Sequence, residues 1–254
     1  MESYTVFAEI YDEMMSDIPY EEWSEYICEL LAEQGITEGL VTELGCGTGT
    51  ISRMIAKHGY NMIGVDNSID MLTIAFDKKE DEDSGYDVLY LLQDMREMQL
   101  LSTQDAIISV CDSLNYMRTT DDLSKVFKGV RKYLKDDGVF IFDMKTEHLY
   151  RDIMGNNQST VMGEFSVMIW DNTYDEETGD NLYYLTIFRE VEDGESWLYE
   201  RFEEEHIQHV FNEDEVVATL KQNGLEPIHI YNAFSHDKPD ENSERIYYVC
   251  KPCR

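Results

Sequence analysis

A doubly wound α/β sheet of seven mostly parallel strands, carrying a small antiparallel β insert, is the fold this 254-residue chain predicts. Three observations carry the prediction. Short apolar runs alternate with amphipathic helical spacing as far as residue 145, which is the order that builds a parallel sheet. The segment Val41, Thr42, Glu43, Leu44, Gly45, Cys46, Gly47, Thr48, Gly49 passes from strand through alternate glycines into helix, a turn whose bare main chain can approach a ligand. After residue 158 the pattern changes to aromatic and β-branched segments separated by turn residues.

Each element follows from local signals. Residues 4–15 and 20–31 have helical apolar spacing, Pro19 stands just ahead of the second helix, and Gly35 closes it. Residues 40–44 form the first strand, 51–58 a crossover helix stopped by Gly59, and 61–65 the second strand. Ser68 caps a helix through Met71, Leu72 and Ala75, which runs out into the solvated charge run 77–83. Strands follow at 88–92 and 106–110. A helix at 123–134 is expected to stop at Asp137-Gly138, before a buried fifth strand at 139–142. The insert is expected as three strands, 165–170, 182–190 and 197–210, with turns at 177–180 and 192–194. A helix at 213–222 and a closing pair of strands, 226–231 and 245–250, complete the sheet. The expected division is therefore 1–158 with 211–254 as the nucleotide-binding domain, and 159–210 as the insert.

Composition narrows the function. The formal charge of −33 argues against a nucleic-acid partner, whose phosphates need clustered Lys and Arg. The same field attracts cations and amines, although an acidic surface also serves solubility alone. No stretch of about 18 apolar residues occurs, so no membrane span is expected. The N-terminus lacks a secretory pattern, and the five cysteines are scattered, so a reducing cytoplasm is expected. Cys250 and Cys253 spell C-x-x-C without a second pair, which reads as a strand end and not as a metal site. No metal is expected, and the oligomeric state stays open.

The ligand of the glycine turn is readable from its neighbours. Asp66 ends the second strand twenty-one residues beyond Gly45, where ribose hydroxyls of an adenosine would fall. Glu43, two places before Gly45, would repel a pyrophosphate but suits an ammonium or sulfonium group. Glu43-Leu44-Gly45-Cys46-Gly47-Thr48-Gly49, then Gly64-Val65-Asp66-Asn67-Ser68 with Met71, then Gln93-Asp94-Met95, resemble successive motifs of the class I S-adenosylmethionine-dependent methyltransferases. The resemblance covers the first 145 residues and says little about the substrate. It implies that Gly45 and Gly47 approach the methionine part and the sugar, and that Glu43 reaches the ammonium. It further implies that Asp66 binds the ribose, Asn67 lies against the adenine, Asp94 and the Met95 N–H meet the adenine edge, and the Cys111 carbonyl holds the ammonium.

Methyl transfer needs alignment and desolvation more than acid or base, so no catalytic triad is expected. Three segments are candidates for the acceptor pocket. Ala8-Glu9-Ile10-Tyr11-Asp12 resembles the N-terminal lid of sugar N,N-dimethyltransferases and glycine N-methyltransferase relatives, which makes Tyr4, Tyr11 and Tyr20 candidates to close over cofactor and acceptor. Asp112 and Asn115, in the run after the fourth strand, are placed as in relatives whose acid and amide face the methyl. That run lacks the Asn-Pro-Pro-Tyr signature of amide or adenine methylation. On the last insert strand, alternation sets Arg201, Glu203 and Glu205 on one face and Phe202, Glu204 and His206 on the other. His206 is a candidate base. Thirteen acids between residues 171 and 205 face two arginines, so most are expected in solvent. The expectation is methyl transfer from S-adenosylmethionine to a small-molecule amine or hydroxyl. The alternatives are a macromolecular acceptor, protein or tRNA, and a non-catalytic cofactor-binding protein.

Overall fold

The computed structural model describes residues 6–81, 87–192 and 197–253. In chain order the first half comprises α1 (Val6–Met14), α2 (Tyr20–Glu33), β1 (Gly39–Leu44), α3 (Thr50–Lys57), β2 (Tyr60–Asp66), α4 (Ile69–Asp81), β3 (Val88–Leu92), β4 (Gln104–Ser109), α5 (Thr120–Tyr133) and β5 (Leu134–Lys145). The second half adds β6 (Asn157–Met162), β7 (Ser166–Asp175), β8 (Asp180–Glu192), β9 (Trp197–His209), α6 (Glu213–Gln222), β10 (Leu225–Asn232) and β11 (Arg245–Pro252).

Strands β10-β11-β5-β4-β1-β2-β3 lie side by side in one seven-stranded sheet. β11 runs antiparallel to both neighbours, as expected of a closing hairpin, and the pairs among β1 to β5 are parallel. Helices cover both faces, so most residues of the central strands are buried, as their apolar runs require. One core joins α2, α3 and α4 to the sheet through Ile27, Leu31, Ile55 and Leu72. The other joins α5 and α6 through Phe127, Val130, Val216 and Leu220. Thr119 caps α5 and Asn212 with Glu215 forms a capping box on α6, fixing where both helices start.

A second sheet, β6-β7-β8-β9, is antiparallel. It has four strands where the sequence predicts three. β6 escapes detection because it is a polar edge strand, Asn-Gln-Ser-Thr-Val-Met, mostly exposed and without alternation. A tight π turn, Leu149–Met154, buries Tyr150 ahead of β6. Asp137-Gly138 is not a helix stop: α5 ends at Tyr133 and the chain enters β5 at once, with a break in its register against β4. The turn at 177–180 is present with Gly179 at φ 73°, whereas residues 193 and 194 of the turn expected at 192–194 and the candidate Tyr4 lie outside the described residues.

The N-terminal helix belongs to the insert as much as to the main sheet. Phe7, Ile10 and Met14 of α1 pack with Tyr150, Met168, Tyr183, Leu185 and Ile187 in a third core. Glu204 of β9 accepts from the Phe7 N–H at 2.9 Å, a carboxylate at a helix N-terminus. Asp12, farther along α1, accepts from Thr48 of the glycine turn at 2.8 Å and pairs with Lys78. One short helix therefore bridges the glycine turn and the insert.

Candidate active site

The sheet order reverses between β1 and β4, and open α/β sheets bind ligands beyond the strand ends at that point. At the end of β1, Gly45 has φ +74°, and a Cβ there would come within 2.5 Å of the Ser113 hydroxyl beyond β4. Ser113 bonds the Gly45 carbonyl at 3.2 Å across the gap. Gly47, also at positive φ, would point a Cβ into open space. Glycine is required at both, at the first by crowding as well as backbone, and at the second by backbone alone.

Asp66 stands at the tip of β2 and accepts from the Gly47 N–H at 2.8 Å and the Ser68 N–H at 2.9 Å. Burial raises its pKa, against the pull of those main-chain bonds. Glu43 is buried, and Ser52 donates to it. Its burial pushes the carboxyl up to about 8, a rise the Ser52 bond only partly offsets. Asp94 caps the turn after β3, and Arg96 holds its carboxylate at 3.0 Å through Nε to both oxygens. That hydrogen bonding keeps its pKa below the ordinary carboxylate value. Asp94 thus has a partner in Arg96 that the sequence reading does not name.

A cavity of about 620 Å³ is lined by Glu43, Gly45, Gly47, Asp66, Asn67, Asp94, Met95 and Cys111 together. A second cavity, of about 590 Å³, is lined by Phe7, Trp23, Asp112, Trp170, Tyr183, His206 and others. Tyr11, Tyr20, Cys111 and Tyr116 line both. Tyr11 hangs from α1 into this junction. Its phenol is pushed up by burial, then by Tyr20 and Cys111, while burial likewise raises Tyr20 and the Cys111 thiol.

The floor of the second cavity is ionic. Cys111 and Asp112 both take φ 57°, a left-handed pair of non-glycine residues. Arg245 Nη2 donates to Asp112 at 2.8 Å, Lys145 lies 3.0 Å from it, and the Gln208 amide donates to it at 2.6 Å. Burial works to raise the Asp112 carboxyl, but Lys145 and Arg245 outweigh it and hold the pKa below the ordinary value. Asp143, wholly buried, accepts from the Asp112 N–H at 2.8 Å and pairs with Arg245; burial raises it. Tyr150 donates to Gln208 at 2.7 Å, and the Arg245 guanidinium lies 5.0 Å from the Trp23 ring centroid. Asn115 does not face the junction; it bonds main chain of Lys145 and His209 and ties β5 to β9.

On β9, Glu204, His206 and Gln208 point inward and are buried, as alternation predicts. Glu204 is an exception to the expectation that the insert's acids lie in solvent. His206 has its Nε2 3.4 Å from Glu204 and its Nδ1 3.3 Å from the Tyr116 hydroxyl. Sequence reasoning misses Gln208, Lys145, Asp143 and Arg245. For Asp143, Lys145 and Arg245 the available signal is charge at the open ends of otherwise apolar strands; Gln208 carries none.

Among the described residues, no helix is long and apolar enough to cross a membrane. A family profile described as a methyltransferase domain matches residues 41–138. A Bacillus subtilis (strain 168) protein named "Putative methyltransferase YqeM" is 33% identical over 246 residues, covering 96% of this chain and 95% of its own. The crystal structure of an S-adenosylmethionine-dependent methyltransferase from Clostridium acetobutylicum ATCC 824 superposes with TM-score 0.84 at 30% identity, covering 100% of both chains. A glycine/sarcosine N-methyltransferase of Aphanothece halophytica is 22% identical, covering 89% of this chain and 80% of its own.

Proposed function

Because this chain belongs to the S-adenosylmethionine-dependent methyltransferases, we propose that it methylates an amine nitrogen of a small-molecule acceptor held in the aromatic cavity. The observation that carries this reading is the meeting of the two cavities at Tyr11, Tyr20, Cys111 and Tyr116. In this reading residues 1–158 and 211–254 hold the cofactor and 159–210 cover the acceptor.

The glycine-turn cavity suits the cofactor. Its size lies in the range of sites for drug-sized ligands, Gly47 leaves open space beside the main chain, and two acids line it, Glu43 buried and Asp66 half-buried. Asp66 would hold the ribose hydroxyls, since each of its oxygens keeps a lone pair beyond the main-chain bond it accepts. Glu43 and the Cys111 carbonyl would hold the ammonium, and Asn67, Asp94 and Met95 the adenine. When bound, the cofactor supplies an electrophilic methyl on a sulfonium, so the protein's share is alignment and exclusion of water.

Nitrogen is favoured over oxygen by what surrounds the junction. Burial keeps Tyr11, Tyr20 and Cys111 protonated, and the Asp112 carboxylate is engaged by Lys145, Arg245 and Gln208. An alcohol needs a base at the moment of attack, which these groups do not supply and His206 would have to, whereas a neutral amine brings its own lone pair. Bound S-adenosylmethionine would supply the methyl to the nitrogen lone pair, with the electron pair of the broken C–S bond left on sulfur. The proton then leaves nitrogen for His206 or water. The relative named as a glycine/sarcosine N-methyltransferase supports the same choice.

The test is release of S-adenosylhomocysteine against a panel of amines and their matched alcohols. Turnover of amines alone is expected. Turnover confined to alcohols would reassign the acceptor atom, and failure to bind S-adenosylhomocysteine would remove the cofactor site.

A further inference from the structure

We infer that the acceptor is a planar, ring-bearing amine without phosphate, larger than a free amino acid. The inference rests on the reading of the aromatic cavity as the acceptor site. Three observations carry it.

The first is size. A cavity of about 590 Å³ falls among sites that enclose drug-sized ligands. A molecule the size of glycine would touch few of its walls and align poorly with the junction.

The second is the lining. Trp170 stands edge-on to Tyr183, with ring centroids 4.9 Å apart and planes at 88°. Phe7 meets Tyr11 edge-on at 5.3 Å, and Phe234 stacks on Trp23 at 5.3 Å. Such walls favour a flat ring through stacked or edge contacts, and an ammonium through the ring quadrupole.

The third is charge. Among the described residues lining this cavity the lysine and arginine cations are Lys145 and Arg245. Asp112 engages both, and Asp143 engages Arg245 from behind. Glu244 adds a carboxylate to the exposed rim. Three carboxylates thus meet two cations. A phosphate would have to displace a carboxylate from Arg245 and leave that buried charge with less compensation, whereas an amine, neutral or protonated, meets no such cost.

The test uses the full-length protein with S-adenosylmethionine and three probes, tyramine, O-phosphotyramine and glycine, followed by S-adenosylhomocysteine release. Calorimetry with S-adenosylhomocysteine runs in parallel. Tyramine is expected to exceed both other probes in kcat/KM by about tenfold or more. Glu244→Lys should move the tyramine to O-phosphotyramine ratio about fivefold toward the phosphate while leaving S-adenosylhomocysteine affinity unchanged. Parity or preference for glycine or O-phosphotyramine in the parent protein would overturn the inference, as would normal S-adenosylhomocysteine binding with no tyramine turnover. Absence of S-adenosylhomocysteine binding would instead overturn the cofactor reading on which it stands.

Discussion

Asp112 and Arg245 are 133 residues apart in the chain, and their carboxylate and guanidinium meet at 2.8 Å. The contact joins the end of β4 to the start of β11. It also holds the Cys111-Asp112 turn in a backbone region that costs on the order of 1–3 kcal/mol per residue for side chains of this kind. Lys145, directly opposite Arg245 in the β5–β11 register, and Gln208 of the insert complete the grip. The main chain where the two cavities meet is therefore fixed by side chains from three separate strands.

Removing the cation should show this in stability. Arg245→Met leaves Asp112 and Asp143 buried with less compensation, and is expected to cost about 3–5 kcal/mol in denaturant unfolding. The double variant Arg245→Met with Asp143→Leu should recover part of that loss. A single-variant cost below about 1 kcal/mol would mean that Lys145 alone neutralises the site.

Asp66→Ala should weaken S-adenosylmethionine and S-adenosylhomocysteine alike by about 1–3 kcal/mol, the worth of lost charge-assisted hydrogen bonds. Isothermal calorimetry measures both. Unchanged affinity would confine Asp66 to bracing Gly47 and Ser68.

Glu43 should couple cofactor binding to pH. Its folded carboxyl holds a proton to about pH 8, while its ordinary value is 4.5. The raised value contributes stability that is full below the ordinary value and is lost as pH rises through about 8. The parent protein should therefore lose stability relative to Glu43→Gln between those limits. An ammonium beside Glu43 favours its ionised form, so cofactor binding near pH 7 should release protons, seen as a buffer-dependent heat that Glu43→Gln abolishes. Buffer-independent heats in the parent would separate Glu43 from the ammonium.

Tyr11→Phe removes the hydroxyl at the junction and keeps the ring that packs on Phe7. Melting should be little changed, and kcat is expected to fall by about tenfold through poorer alignment. Full activity would assign Tyr11 to packing.

His206→Asn is expected to lower turnover of an amine by about tenfold or more, the usual share of a positioned proton acceptor. The residue lines the acceptor cavity beside Glu204 and Tyr116. Unchanged steady-state turnover would pass the proton to water, and would direct attention to the residues between Asp112 and Tyr116.

The lining of the glycine-turn cavity is largely legible in the sequence because its signals are local. Gly45, Gly47 and Asp66 act through the turn and strand ends they belong to, so spacing alone brings them together. The ionic floor is not local. Asp112, Asp143, Lys145, Gln208 and Arg245 come from separated segments, and each reads singly as one more charge in a chain rich in charge. They converge because β11 enters beside β5 in a register that sets Arg245 against Lys145 and Tyr247 against Asp143. Asn115 misleads for a related reason: its amide is consumed by the main chain of β5 and β9, which a linear reading cannot bring near it.

The two-residue rhythm of β9 makes the enzyme tolerant of one kind of genetic change and intolerant of another. Exchanging a single inward side chain alters only the contacts that this side chain makes. Deleting one residue from the strand's middle would turn the inner row, Glu204, His206 and Gln208, outward and bring the charged outer row into the cavity. Diversification of this wall is therefore open to point substitution and closed to frame-preserving deletions of a single codon.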